Sequence, residues 1–202
     1  MRNFFIYSLF FAVFLALSGC VAVTPDTPAP SAAPRACVGD IELAGRFSVR
    51  YWQDGREEAA HGSFRWRQAG LRASITLLSL LGQTLATIEL APGRAMLTLA
   101  DQPPRVAADA DALAAQALGW PLPVSGLRDW LQGCARLADG GRFVAAPGRE
   151  QATAADGWRL NYPVWERDGD APRPKRIDLE RPADDGGISL RLVIDDWQPG
   201  AR

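Results

Sequence analysis

The chain is poor in the side chains that do chemistry. Its 202 residues hold one histidine, His61, three cysteines and two methionines. A lone histidine beside a turn lacks the neighbours that acid/base or metal work requires, so His61 reads as a surface residue. No G-x-S-x-G nucleophile elbow and no G-x-x-x-x-G-K-S/T phosphate loop occurs. No C-x-x-C spacing suggests redox catalysis or zinc. Asp195-Asp196 closes a strand pattern, where neighbouring side chains point to opposite faces and make a poor acid/base pair. Asp184-Asp185 beside Gly186-Gly187 reads as a turn, and Asp109 and Asp111 as charges at the start of a helix. No enzyme is expected, and no cofactor or metal. Excess charge is also missing. With 22 Lys+Arg against 23 Asp+Glu and no polybasic stretch, the chain has no footprint for nucleic acid.

The first twenty residues carry a clear signal. Arg2 precedes an apolar run, Phe4–Leu17, that is too short for a comfortable membrane span. It ends in Leu17-Ser18-Gly19-Cys20, a lipobox. Residues 1–19 are therefore expected to be a lipoprotein signal peptide, with a diacylglyceryl group on the Cys20 thiol and a further acyl chain on the new amine. Three acyl chains at ~0.8 kcal/mol per buried CH₂ make a permanent anchor. Residue 21 is Val rather than Asp, which in bacterial lipoprotein sorting favours the outer membrane. Val21–Ala36 carries Pro25, Pro28, Pro30 and Pro34 among small residues. Residues 20–36 thus read as the acylated cysteine and a tether. Residues 37–202 suit one domain that buries roughly two thirds of its unfolded surface. The remaining cysteines, Cys37 and Cys134, form either a disulfide, as an oxidising periplasm allows, or two free buried thiols.

Within the body, period-2 alternation predicts strands over Ile41–Gln53, Glu58–Arg67, the two arms of Ser74–Leu90, Arg94–Ala100 and Arg105–Ala107. Helical spacing covers Asp109–Leu118. After Trp120-Pro121-Leu122-Pro123 it resumes over Gly126–Gln132, with Ser125 as N-cap. Leu127, Trp130, Leu131 and Cys134 form one apolar stripe there. Weak strands follow at Arg142–Ala146 and Arg149–Thr153, and clear ones at Gly157–Trp165, Arg173–Glu180 and Gly187–Gln198. Ten or eleven strands and two or three helices, in a meander rather than a βαβ alternation, predict a large antiparallel sheet that curls into a part-closed barrel. Such a barrel is either filled by helices or left hollow for a ligand.

The link Ser79–Gln83 between the arms of Ser74–Leu90 is unusual. Gly82 tolerates the positive φ of a hairpin tip, but Leu80 and Leu81 occupy a position that is normally polar. No charge occurs between Ser74 and Thr87. Two readings follow: a bent core strand that tucks both leucines inside, or an apolar finger made for a membrane or lipid.

Gly119-Trp120-Pro121-Leu122-Pro123 leading into Leu127-Arg128-Asp129-Trp130-Leu131, together with Leu81-Gly82, resembles the LolB family of outer-membrane lipoprotein receptors. Phe64-Arg65-Trp66, Trp158 to Tyr162 and Asp195-Asp196-Trp197 agree with it, as does the lipobox. The resemblance spans roughly Ile41–Trp197. It implies an incomplete antiparallel barrel with helices inside and an apolar cavity. Its members take the acyl chains of cargo lipoproteins from the periplasmic carrier LolA and insert them into the inner leaflet of the outer membrane, acting as monomers. A protruding loop carries a leucine that touches the membrane, and Leu81 holds that place here. The residue before it is often proline in the family. Here it is Leu80, which implies a greasier and less rigid tip. Alternation and size nominate Phe47, Trp66, Leu77, Leu90, Trp130, Leu131 and Leu192 as walls of an acyl cavity, with plain core packing as the alternative for each. The runner-up reading of the whole chain is a non-catalytic scaffold lipoprotein of an envelope assembly.

Overall fold

The computed structural model describes residues 37, 39–167, 172–184 and 187–199. The signal segment, Cys20 and the tether through Ala36 lie outside the described residues, as do Asp185 and Gly186 of the expected turn.

The alternation of apolar and polar side chains becomes strand after strand. β1 (Ile41–Gln53) buries Ile41, Leu43, Phe47 and Val49 and turns Arg46 and Arg50 to solvent. β2 (Arg56–Ala69) buries Phe64 and Trp66 between exposed arginines. β3 (Arg72–Leu78), β4 (Thr84–Ala91), β5 (Arg94–Leu99) and β6 (Arg105–Ala107) follow as antiparallel neighbours. After the two helices come β7 (Cys134–Arg136), β8 (Arg142–Val144), β9 (Gln151–Thr153), β10 (Arg159–Glu166), β11 (Arg173–Arg181) and β12 (Ile188–Pro199).

Ten of these strands form one sheet in the order β6-β5-β4-β3-β2-β1-β12-β11-β10-β9, and β7 pairs only with β8. The chain thus returns through β12 to the free side of β1, and two meanders fuse into one surface. The three-residue strands β6 and β9 end the sheet without pairing to each other. This is the expected unclosed antiparallel sheet, of ten strands, and the β7–β8 ribbon that stands apart from it brings the described strands to twelve.

The helices lie against the sheet's buried face. α1 (Ala110–Leu118) starts at Asp109, whose side chain accepts the N–H groups of Asp111 and Ala112 at 2.9 and 3.0 Å. α2 runs from Val124 to Trp130 rather than over the expected Gly126–Gln132. Ser125 is inside it and is not its cap. The side chain of Asp111 takes that role from the neighbouring helix, accepting the Ser125 N–H at 2.9 Å and its hydroxyl as well. The apolar stripe reaches Cys134, but Gly133 adopts φ 78°, a left-handed turn that glycine makes without steric cost. It ends the helical run and frees Cys134 to open β7. Cys134 is joined by a disulfide to Cys37, with Cα atoms 6.5 Å apart.

Candidate functional site

Two features stand apart from ordinary core and surface: the tip between β3 and β4, and the space under the helices.

The tip is a braced turn. The Ser79 N–H donates to the Gln83 carbonyl at 2.8 Å, and the Gly82 N–H donates to the Ser79 carbonyl at 2.9 Å. The Ser79 Oγ then accepts the N–H groups of Leu81 and Gln83 at 3.3 and 3.2 Å. Gly82 supplies φ 78°. Leu80 is 80% and Leu81 87% exposed. The reading in which both tuck into the core is excluded. Where a proline would fix φ at the tip, the Ser79 hydroxyl instead offers two hydrogen bonds to the turn backbone.

β3 connects this tip to the second feature. Before it reaches Ser79, its side chains Ile75 and Leu77 face the interior. There they meet Phe47, Phe64, Trp66, Leu190 and Leu192 from the sheet, and Trp120, Leu122, Leu127 and Leu131 from the helical segment. All of these lining residues are apolar. The space left among them is about 20 Å³, room for about one water molecule and far below the roughly 300–1,000 Å³ of ligand pockets. The lining of an apolar cavity is present, but the side chains of the α1–α2 link and of α2 fill it.

Of the seven residues nominated from the sequence, Phe47, Trp66, Leu77, Leu131 and Leu192 converge on this space. Leu90 and Trp130 do not. Leu90 is half-buried near the far end of β4, beside a surface groove with Arg67, Arg72 and Arg94. Trp130 is buried behind α2, with its ring 6.0 Å from that of Trp158 and its carbonyl accepting the Tyr162 hydroxyl at 3.1 Å. Its place follows from helical geometry: on α2, Leu127 and Leu131 point at the sheet's hollow while Trp130 is rotated away from them. Sequence reasoning left out Phe64, Ile75, Trp120, Leu122, Leu127 and Leu190. Phe64 and Ile75 share the alternation phase of Trp66 and Leu77, and Leu190 that of Leu192. That shared phase was the available signal. For Trp120 and Leu122, in a proline-broken link, no period existed to find them.

Polar ties hold the helical segment in place. Besides Asp111 with Ser125, the Arg128 guanidinium donates to the Gly70 carbonyl at the β2–β3 turn, and Gln132 Nε2 donates to the Arg128 carbonyl at 3.2 Å. The ion pairs lie on the outer surface of the sheet. Arg46 grips Asp195 through two contacts of 2.9 Å, and that hydrogen bond raises the arginine's pKa further. Burial pushes the Asp178 carboxyl up, but hydrogen bonds from Arg176 at 2.6 Å and Arg191 at 2.8 Å outweigh it and hold the group below its ordinary range. Asp195 and Asp196 are both exposed, not on opposite faces as strict alternation implies. The β1–β12 register slips at Ala44/Gly45, so that Asp196 pairs with Ala44 and Ile194 with Gly45, leaving Asp195 as the extra residue of a bulge. His61 is exposed on β2. Among the described residues no group of three His, Cys, Asp or Glu side chains could hold a metal ion, and no helix is long and apolar enough to cross a membrane.

The sequence model of a family described as outer membrane lipoprotein LolB matches residues 40–197. The outer-membrane lipoprotein LolB of Cupriavidus necator is 41% identical over 191 residues, which covers 92% of each chain. That of Ralstonia nicotianae is 40% identical over 188 residues, covering 89% of this chain and 90% of the other. Among solved structures, a DUF1329 family protein from Desulfovibrio piger aligns with 80% of this chain and 85% of its own, at a TM-score of 0.48 and 10% identity.

Proposed function

Because the chain belongs to the LolB family of outer-membrane lipoproteins, we propose that it works as the receiving and inserting station of lipoprotein localisation. Acylated Cys20 holds it on the periplasmic face of the outer membrane. It takes the acyl chains of cargo lipoproteins from a LolA-like periplasmic carrier and passes them into the inner leaflet. No bond is made or broken in this reading, and no catalytic residue is assigned.

The observation that carries it is the braced tip, with two leucines standing in water at the end of the strand that lines the apolar interior. Fully burying one leucine gains about 1.5–3 kcal/mol. Two such leucines give a contact that is weak alone and sufficient for a body already confined to the surface by its anchor. The interior supplies the other half. A sixteen-carbon acyl chain exposed to water costs on the order of 12 kcal/mol at ~0.8 kcal/mol per CH₂, so it must travel from one apolar enclosure to the next. Here the enclosure is occupied by the protein's own Trp120, Leu122, Leu127 and Leu131. The entering chain displaces them, exchanging one set of apolar contacts for another. What the exchange must break is the set of polar ties on α2. Direction then needs only a difference in affinity, since about 1.4 kcal/mol per step gives a tenfold bias.

The test is a two-stage transfer. A carrier loaded with a triacylated lipoprotein is mixed with the acylated chain anchored in vesicles, and the cargo is followed first from carrier to chain and then from chain to lipid. With Leu80→Glu and Leu81→Glu together, cargo should still leave the carrier but remain on the chain instead of entering vesicles. Normal delivery by the double variant removes the role given to the tip. A stable stoichiometric complex with an envelope protein, with no cargo accepted at all, supports a scaffold instead.

A further inference from the structure

We infer that Leu85 is a third membrane contact, set beside Leu80 and Leu81 by a bulge in β4. This rests on reading the tip as a lipid-facing element. Pairing between β3 and β4 runs in step from Ala73 with Leu90 to Leu77 with Ala86, then slips, so that Leu78 faces Thr84. Leu85 is the residue left over. The bulge is built into the sheet rather than frayed from it, because the Leu85 carbonyl accepts the N–H of Ala100 at 3.4 Å on the β5 side.

The residue type is what points to lipid. Apart from Leu78, which is buried, and Ala91 at the far end of β4, the other outward positions of this hairpin are Arg72, Ser74, Thr76, Thr87 and Glu89, all polar. Leu85 breaks the series and is 43% exposed. Bulges commonly re-aim a side chain at a functional edge. Leu85 lies two residues beyond Gln83, which closes the turn, so at about 3.4 Å per residue it stands roughly 7 Å from the tip. Amphipathic elements at a bilayer surface bury about 5–10 Å. The hairpin has no charge from Ala73 to Ile88, so sinking it to the level of Leu85 desolvates none of its own ionised groups. Exposure alone does not make the case: Leu71 is 67% exposed, but it sits at the opposite end of β3 beside Arg72. It is the control.

The acylated chain is reconstituted in vesicles of phosphatidylethanolamine and phosphatidylglycerol, with one cysteine introduced by Leu71→Cys, Leu81→Cys or Leu85→Cys and labelled with a fluorophore. Cys37 and Cys134 stay oxidised and Cys20 carries lipid, so only the new thiol reacts. Spin-labelled lipid should quench the probe at 81 and at 85 and leave the probe at 71 bright. In the transfer assay, Leu85→Ser should slow delivery to vesicles by about threefold to tenfold without slowing acceptance from the carrier. Quenching at 81 with a bright probe at 85 overturns the inference and leaves the reading of the tip standing. Bright probes at all three positions overturn both.

Discussion

Asp178 shows how single residues on the outer surface tune stability. Its carboxylate is shared by Arg176 and Arg191 and is held below the usual range. A group depressed in the folded state contributes stability that is full above the ordinary carboxylate pKa of about 4 and is lost as pH falls through the lower, folded value. Asp178→Asn should therefore lower the melting temperature at pH 7, and the gap between variant and wild type should close in acid. Gly62 makes a steric point instead. A Cβ there would strike the Leu78 carbonyl and lie 2.8 Å from the Phe47 ring. Gly62→Ala should cost about 1–3 kcal/mol, read as a fall in the denaturant midpoint. At this scale the sequence was informative wherever one rule acted alone: alternation placed Phe47, Trp66, Leu77 and Leu192 on the inner face. It failed where a register slip intervened, as at Asp195 and Asp196, because a bulge leaves no mark in the residue pattern. The tip stayed undecided for a different reason. Whether Leu80 and Leu81 point in or out is set by the path of the turn over Ser79–Gln83, and hydrophobicity says nothing of that.

Among the elements, α2 is the one asked to move. It has 7 residues, too few to be stable alone, and depends on its neighbours. Asp111 supplies its N-terminal cap, Arg128 ties it to the Gly70 carbonyl, and Tyr162 holds the Trp130 carbonyl. Asp111→Ala should cost about 1 kcal/mol of stability and at the same time speed acyl-chain uptake, measured with a fluorescent fatty acid. A variant that loses stability without faster uptake argues against α2 as the moving part. The disulfide acts on the other side of this element. Cys37 and Cys134 are 97 residues apart, and closing a loop of that order contributes up to about 4.7 kcal/mol in the chain-entropy view. Reduction should lower the melting temperature by roughly 10 °C. Most element boundaries could be read from turn residues such as Asp54-Gly55 and Pro92-Gly93. β7 could not, because Cys134 falls on the same helical phase as Leu127 and Leu131, and only the backbone turn at Gly133 breaks that run.

For the whole molecule, the sheet order and the filled interior belong together. β12 returning beside β1 joins the two meanders into a surface wide enough to curl around two helices, and the short β6 and β9 leave it unclosed. An open-edged sheet with a helical segment on its buried face can exchange that segment for a ligand without breaking a ladder of backbone hydrogen bonds. The unclosed sheet was legible from strand number and connection length. The occupancy of its hollow was not, since Leu122, Leu127 and Leu131 are equally suited to lining a cavity and to filling it. The most direct measurement is hydrogen exchange on the chain with and without a bound triacylated lipopeptide. Loading should speed exchange of the Val124–Leu131 amides and leave β1, β2 and β12 protected. Unchanged protection across α2 in the loaded protein would contradict the account.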